Sequence, residues 1–230
     1  MDATPLIRIP STLTPKSDTA PVKIYVKKPR GTLYWGGAGL DGVYVQPQLQ
    51  AFRSAGIQHV WVGLTNSASR LLGTTPGTLV DAVRAGTLVR YQDDSDWTIN
   101  GGMTEPAPQF NLVGYSYGSL LAAQTANFYA KKGHIVDHLV LVGSPIDADF
   151  LAALKSNKNI KKVIVINLND HGDPIYAGMT QVDLLSSAPT LGVQMNANKG
   201  EGHFYYAHKV ADSPKRWADL AQKLVNEGLR

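Results

Sequence analysis

Residues 110–120 have the sequence Phe-Asn-Leu-Val-Gly-Tyr-Ser-Tyr-Gly-Ser-Leu, in which an apolar run meets the pattern Gly-x-Ser-x-Gly. An Ala-rich segment of helical character follows from Leu120 to Lys132. A strand, this pattern and a helix together predict a sharp strand-to-helix turn that leaves the Ser116 hydroxyl exposed above the sheet edge. The helix N-terminus beneath that turn favours developing negative charge. Ser116 is therefore the candidate nucleophile, although the same pattern also occurs in plain structural turns.

The composition of the 230-residue chain limits the classes of protein to which it can belong. Its length suits one domain with a sizeable core. No apolar run approaches the length that spans a bilayer, and residues 1–10 lack the continuous apolar stretch of a Sec-type signal. We therefore expect a soluble protein that is cytoplasmic unless another route exports it. The absence of cysteine excludes disulfides, thiolate metal ligands and a cysteine nucleophile.

The net charge of +4 is carried by lysine pairs that are dispersed along the chain. We expect no nucleic-acid partner, because no basic cluster is interleaved with aromatic residues. Transient contact with an anionic membrane surface is compatible with the charge. The sequence leaves the oligomeric state open.

Short apolar runs alternate with helical segments along most of the chain. Residues 1–21, rich in Pro, Thr and Ser, predict a flexible N-terminal arm, and residues 22–230 predict one domain. The predicted strands are residues 22–26, 32–35, 60–64, the run from Phe110, and residues 136–142, 162–168 and 191–195. The predicted helices begin near residues 47, 75, 120, 149 and 213. This alternation predicts an α/β fold, a mostly parallel sheet flanked by helices.

A glycine cluster at residues 36–39 follows an early predicted strand and allows two interpretations. Residues 37–42 match Gly-x-Gly-x-x-Gly, the fingerprint of a dinucleotide-binding oxidoreductase. The context disagrees, because residues 43–45 are β-prone where a helix should open and no acidic residue ends the next predicted strand. The other interpretation is an oxyanion loop, in which backbone N–H groups are offered to a carbonyl oxygen without obstruction by side chains.

A serine nucleophile needs a base, and the base needs a carboxylate that fixes its tautomer. The loops at the carboxyl ends of parallel strands gather on one face, so both groups are expected in such loops. Asp170 and Asp173 both follow the strongest predicted strand, and the residues alone do not separate them. His203 lies in a glycine-rich loop after the run at residues 191–195. The other five histidines lie at the opposite strand ends, near the final helix, or in the loop that carries Asp170 and Asp173, which we call the acid loop.

At this point the chain resembles the α/β-hydrolase family, specifically its lipase and esterase members, over about residues 22–228. The resemblance rests on residues 114–118, Gly-Tyr-Ser-Tyr-Gly, residues 172–175, Gly-Asp-Pro-Ile, and residues 202–204, Gly-His-Phe, in the family's order. It implies an α/β-hydrolase fold without a large cap domain. It also implies a triad of Ser116, Asp173 and His203, and it favours Asp173 over Asp170 as the acid.

The same resemblance implies where an oxyanion would be held. One N–H belongs to the residue after the nucleophile, Tyr117, and another to Gly37 or Ala38 in the early loop. Trp35 stands where many members of the family carry a histidine, which leaves the second donor open between Gly37 and Ala38. The tyrosines expected to form an aromatic rim around the substrate are Tyr115, Tyr176 and Tyr205.

We therefore expect a serine hydrolase that cleaves a carboxylic ester through an acyl-enzyme intermediate, on a small-molecule or lipid substrate. A phospholipase or an acyl-thioesterase would use the same triad. A non-catalytic ligand-binding module is the alternative from another class. We expect no cofactor and no metal, because the sequence has no His-Glu-x-x-His and no Gly-Lys-Ser/Thr after the glycine loop. The long loop at residues 91–108 is either a lid over the site or a solvated connection.

Overall fold

A parallel sheet of five strands lies at the centre of the computed structural model. The structure describes residues 26–38, 42–65, 103 and 106–230, together with three short strands at residues 7–8, 22–23 and 97–98. The predicted helix near residue 75, most of the arm at residues 1–21 and most of the loop at residues 91–108 lie outside the described residues. The division into an arm and one domain therefore stays a prediction.

The described strands and helices follow one another along the chain as the alternation predicts. The strands are β1 Ile7–Arg8, β2 Val22–Lys23, β3 Gly31–Trp35, β4 Val60–Val62, β5 Leu64–Thr65, β6 Trp97–Thr98, β7 Phe110–Tyr115, β8 His138–Val142 and β9 Val163–Ile166. The helices are α1 Val45–Ser54, α2 Tyr117–Lys131, α3 Ala148–Ser156, α4 Gln181–Ala197 and α5 Ser213–Asn226, with 3-10 turns at Asn169–His171 and Gly202–Phe204. Among these helices none is both long enough and apolar enough to cross a bilayer.

The five central strands are parallel and lie in the order β4-β3-β7-β8-β9. The chain leaves β3 towards β4 on one side and leaves β7 towards β8 on the other. The strand order therefore reverses between β3 and β7, which is where open α/β sheets bind their ligands, at the carboxyl ends of the strands. The predicted fold class, a mostly parallel sheet with flanking helices, is confirmed. β1 with β2 and β5 with β6 form two separate antiparallel pairs.

The three central strands β3, β7 and β8 are buried on both faces, which is why they are nearly continuous apolar runs. Leu112 packs into the cluster that contains α2 and α3, and its neighbour Val113 packs into the cluster that contains α1 and α5. This alternation follows from the two-residue period of a strand. α1 begins at Val45, about two residues before the predicted start near residue 47. The helix therefore opens closer to the glycine loop at residues 36–39 than the β-prone residues 43–45 indicate.

The sharp turn between β7 and α2 depends on two glycines that lie against backbone. A Cβ on Gly118 would lie 2.2 Å from the carbonyl oxygen of Gly36. A Cβ on Gly114 would lie 2.2 Å from the carbonyl oxygen of Gly118. Because backbone atoms cannot swing aside as a side-chain end can, α2 can start against the end of β3 only if both positions lack a side chain.

The strand predicted at residues 191–195 is wrong, because these residues lie inside α4. The helix begins with a capping box in which Thr180 and Asp183 bond each other's backbone N–H groups. Its apolar side chains do not mark the buried face: Val182, Leu185 and Val193 are 74%, 63% and 68% exposed, whereas Gln194 is buried. Pro189 also lies inside the helix. The apolar residues of this segment therefore lack the helical periodicity by which a helix is predicted from sequence.

A buried histidine lies at the opposite end of the sheet from the glycine loop. Asn111 Nδ2 donates to Thr32 Oγ1 and to Gln109 Oε1, both at 3.0 Å, so Asn111 Oδ1 is left as an acceptor for His138 Nδ1 at 2.8 Å. Burial lowers the pKa of His138, and the neighbouring Lys161 and Lys162 lower it further against the opposing charge of Asp137.

Replacing Gly118 by alanine should destabilise the fold severely, because the new methyl group would overlap the backbone of Trp35 and Gly36. We expect a loss of at least about 3 kcal/mol in the free energy of unfolding, measured by urea denaturation. The matched control is Gly192→Ala in α4, where an added Cβ meets no atom within 4 Å. This control should raise stability by up to about 1 kcal/mol. Equal denaturation midpoints for Gly118→Ala and wild type would contradict the packing argument.

His138 should make the folded protein less stable as the pH falls through the ordinary histidine value of about 6.5. Because its pKa is lowered in the folded state, the unfolded state binds more protons between the two values, and stability there rises with pH. His138→Gln should reduce the loss of stability between about pH 7 and pH 5, measured by urea midpoints across that range. The control Gln222→Ala removes an exposed side chain that does not titrate and should leave the slope as in wild type. A wild-type slope in His138→Gln would contradict the assignment.

Candidate active site

Ser116 occupies the turn between β7 and α2, at the point where the strand order reverses. Its backbone has φ 54° and ψ −123°, a conformation that non-glycine residues rarely adopt. The Ser116 N–H donates to the carbonyl of Val142 at 2.8 Å, and its own carbonyl accepts from the Ser119 N–H at 3.0 Å. These two bonds hold the turn on both sides. The predicted strand-turn-helix around Ser116 is thus present.

Three side chains from distant parts of the sequence form a chain of hydrogen bonds. Ser116 Oγ lies 2.6 Å from His203 Nε2, and His203 Nδ1 lies 2.9 Å from Asp173 Oδ2. The Asp173 side chain is fully buried, and that of His203 is 9% exposed. The sequence assigned these same three residues to one site.

The partners of the imidazole determine what it can do. A carboxylate can only accept, so His203 Nδ1 carries the proton that it donates to Asp173. In the neutral ring Nε2 is then an acceptor, and it faces the Ser116 hydroxyl. This arrangement allows the hydroxyl proton to pass to Nε2, while the positive charge that develops on the ring lies beside a buried carboxylate.

The loop after β9 presents Asp173 and leaves Asp170 in solvent. The second carboxylate oxygen of Asp173, Oδ1, accepts from the Ile175 N–H at 2.8 Å, and Asn169 Nδ2 donates to the Asp173 carbonyl at 3.0 Å. Asp170 is exposed in the 3-10 turn. Of the two aspartates, Asp173 is thus the one that lies at hydrogen-bond distance from His203, and Asp170 is exposed.

His203 lies in the 3-10 turn Gly202–Phe204, which follows α4 rather than a strand. The His203 backbone N–H donates to Gln194 Oε1 at 3.0 Å, and the His203 carbonyl accepts from the Tyr115 hydroxyl. The Tyr115 ring also stacks on the imidazole, with ring centroids 5.7 Å apart and planes at 23°. Both polar groups of the His203 backbone are thus bonded to side chains.

The backbone groups expected to hold an oxyanion lie on two neighbouring elements. Tyr117 is the first residue of α2, where backbone N–H groups point out of the helix end. The Gly37 N–H donates to the hydroxyl of Tyr44 at 2.6 Å, so it is already engaged. Ala38, the next residue, is half-buried, and among the described residues no hydrogen bond engages its N–H.

Two buried tyrosines surround this region. Burial raises the pKa of Tyr44 and of Tyr115 well above the ordinary tyrosine value. Both hydroxyls therefore stay protonated near neutral pH, so Tyr115 remains able to donate to the His203 carbonyl and no phenolate charge forms next to Asp173. The two rings meet edge to face at 5.8 Å.

The three tyrosines expected at a substrate rim differ in their surroundings. Tyr115 is 3% exposed and lies behind His203. The His171 ring lies parallel to the Tyr205 ring at 3.6 Å, and the Arg216 guanidinium lies 4.1 Å from the centre of the same ring. Because two groups this close cannot fit on one face, they lie on opposite faces of the Tyr205 ring. Tyr176 is half-buried in the acid loop, and its hydroxyl donates to Asp183 Oδ2 at 3.0 Å.

Sequence reasoning missed two residues that touch the predicted site, Tyr44 and Gln194. Tyr44 had no motif to mark it. Gln194 lay within the segment mistaken for a strand, and the signal that could have corrected this is the Thr180-x-x-Asp183 capping box. Among the described residues, no group of three or more His, Asp or Glu side chains is placed to hold a metal ion.

Comparison with known proteins agrees with this architecture. No curated protein and no solved structure matches the chain. A family model described as alpha/beta hydrolase matches residues 53–175, a segment that includes β7, the turn at Ser116, α2 and the acid loop up to Ile175. This match indicates a hydrolase. With this match over more than half of its length and with its parallel sheet, the chain belongs to the alpha/beta hydrolase family.

Proposed function

We propose that this protein is a serine hydrolase that cleaves a carboxylic ester through an acyl-enzyme intermediate. The observation that carries the proposal is the hydrogen-bonded chain from Ser116 Oγ through His203 to Asp173, with distances of 2.6 and 2.9 Å. Serine at its free pKa is a weak nucleophile, and this arrangement supplies the base and the orienting carboxylate that it needs.

In the first half of the reaction, Ser116 Oγ attacks the ester carbonyl carbon while its proton moves to His203 Nε2. The carbonyl π electrons become the lone pair of an oxyanion. When the tetrahedral intermediate collapses, the bond to the alcohol oxygen breaks, and His203 returns the proton to the leaving alcohol. The acyl group remains on Ser116, and the imidazole is neutral again.

The second half repeats these steps with water. His203 takes a proton from water, the hydroxide attacks the acyl carbon, and the carboxylic acid leaves as Ser116 Oγ regains its proton. We assign the two oxyanion donors to the N–H groups of Tyr117 and Ala38. Ala38 is favoured over Gly37 because the Gly37 N–H is donated to the Tyr44 hydroxyl. Donors of this kind are worth about 10²- to 10³-fold in kcat.

The tyrosines support different parts of the site in this proposal. Tyr176 remains the candidate for contact with substrate, because it is half-buried and follows Asp173 by three residues. Tyr115 and Tyr205 support the histidine loop instead, since one is buried and the other is stacked between two side chains. A small-molecule ester, a lipid ester or an acyl thioester fits the same chemistry.

Wild-type protein should hydrolyse nitrophenyl esters, and Ser116→Ala should lose about 10³-fold or more of the activity. A series of acyl chain lengths should show which acyl group is preferred, and a fluorophosphonate probe should label Ser116. The control Ser186→Ala removes an exposed hydroxyl from α4 and should retain wild-type rates. If wild type turned over no ester and the probe left Ser116 unlabelled, the ligand-binding alternative would replace the enzyme.

Asp173→Asn should lower kcat by about 10⁴-fold while the fold is retained, because an amide would favour the wrong imidazole tautomer. Steady-state kinetics at pH 7 and far-ultraviolet circular dichroism together measure this. The matched control is Asp170→Asn, the exposed neighbour in the same loop, which should keep wild-type activity. Loss of activity in Asp170→Asn alone would reverse the assignment of the acid.

A further inference from the structure

We propose that Gln194 is a positioning residue that holds the loop of Asp173 and the loop of His203 in register. The proposal rests on the proposed function, because it concerns the same three side chains. Gln194 lies on α4 and is 9% exposed. Among the described residues, no hydrogen bond joins it to Ser116. Its effect would therefore pass through other residues.

The side-chain amide of Gln194 bridges the two loops. Its Nε2 donates to the Gly172 carbonyl at 2.8 Å, and its Oε1 accepts from the His203 N–H at 3.0 Å. Gly172 immediately precedes Asp173. One planar amide thus links the residue before the acid to the base itself, and its rigid geometry fixes the separation of the two backbone groups.

Neither loop is held in this way by the sheet. Asp173 lies just after the 3-10 turn Asn169–His171 that follows β9, and His203 lies in a second 3-10 turn after α4. Tyr115, the last residue of β7, connects the sheet to His203, because the Tyr115 hydroxyl donates to the His203 carbonyl. Tyr115 therefore sets the base relative to Ser116, and Gln194 sets the base relative to Asp173.

The backbone at Gly202 is shaped for the approach of Gln194. Gly202 has φ 56°, and a Cβ there would lie 2.1 Å from Gln194 Nε2 and 2.2 Å from Oε1. Only glycine combines that conformation with room for the amide. At the other end of α4, Tyr176 from the acid loop donates to Asp183 of the capping box. The helix is thus attached to the acid loop near both of its ends.

Gln194→Met tests the proposal, because methionine keeps the volume and removes both hydrogen bonds. We expect kcat per fluorophosphonate-labelled site to fall by about tenfold to a hundredfold, while KM changes by less than about twofold. The Nδ1–H proton of His203, followed by proton NMR, should exchange with solvent faster than in wild type, because its hydrogen bond to Asp173 Oδ2 is held less well. The control Asn196→Met replaces an exposed amide on the same helix and should match wild type.

Gln194→Glu serves as the second variant and keeps one of the two bonds. Its carboxylate still accepts from the His203 N–H but cannot donate to the Gly172 carbonyl, so the rate per labelled site should fall between wild type and Gln194→Met. This variant decides the question if Gln194→Met does not fold. A purely structural role predicts fewer labelled sites with an unchanged rate at each site, and that result would overturn the proposal.

The exchange of the His203 Nδ1–H proton separates this proposal from the proposed function. If wild type hydrolysed no ester, the enzyme assignment would fail, and proton NMR would still compare the exchange of this proton in Gln194→Met and in wild type. Faster exchange in the variant would support the positioning role even then. Equal exchange rates would overturn it, whatever the activity of the wild type.

Discussion

The contact between Gly118 and the backbone of Trp35 and Gly36 is the constraint on which the rest of the site depends. It allows α2 to begin directly against the end of β3, so the turn at Ser116 and the glycine loop lie side by side. Both elements flank the gap between β3 and β7, where the strand order reverses. A helix set farther from β3 would move Ser116 away from the glycine loop.

The sheet fixes the serine, but side chains fix its two partners. Asp173 has both carboxylate oxygens bonded, and His203 has both backbone polar groups bonded. These are buried polar groups, which are costly unless every partner is present. The high pKa values of the neighbouring tyrosines fit the same requirement, since a phenolate in this region would face the carboxylate of Asp173 across an apolar interior.

The parts of the structure that follow from local pattern could be predicted, and those that follow from packing could not. The strands around Phe110 and Leu139 are buried on both faces, and their nearly continuous apolar runs predict this burial. The sequence predicts a strand within α4 because several apolar residues of this helix are exposed and its buried face carries Gln194. The engagement of the Gly37 N–H depends on the Tyr44 ring, seven residues away, and no spacing rule predicts it.

The sequence separation within the hydrogen-bonded chain has a consequence for the protein while it is being made. Ser116 and His203 are 87 residues apart. At about 5–20 residues per second of synthesis, Ser116 is added to the chain several seconds before its imidazole partner. A serine without a base is a poor nucleophile. The hydrogen-bonded chain on which the proposed activity depends can therefore form only after His203 has been added.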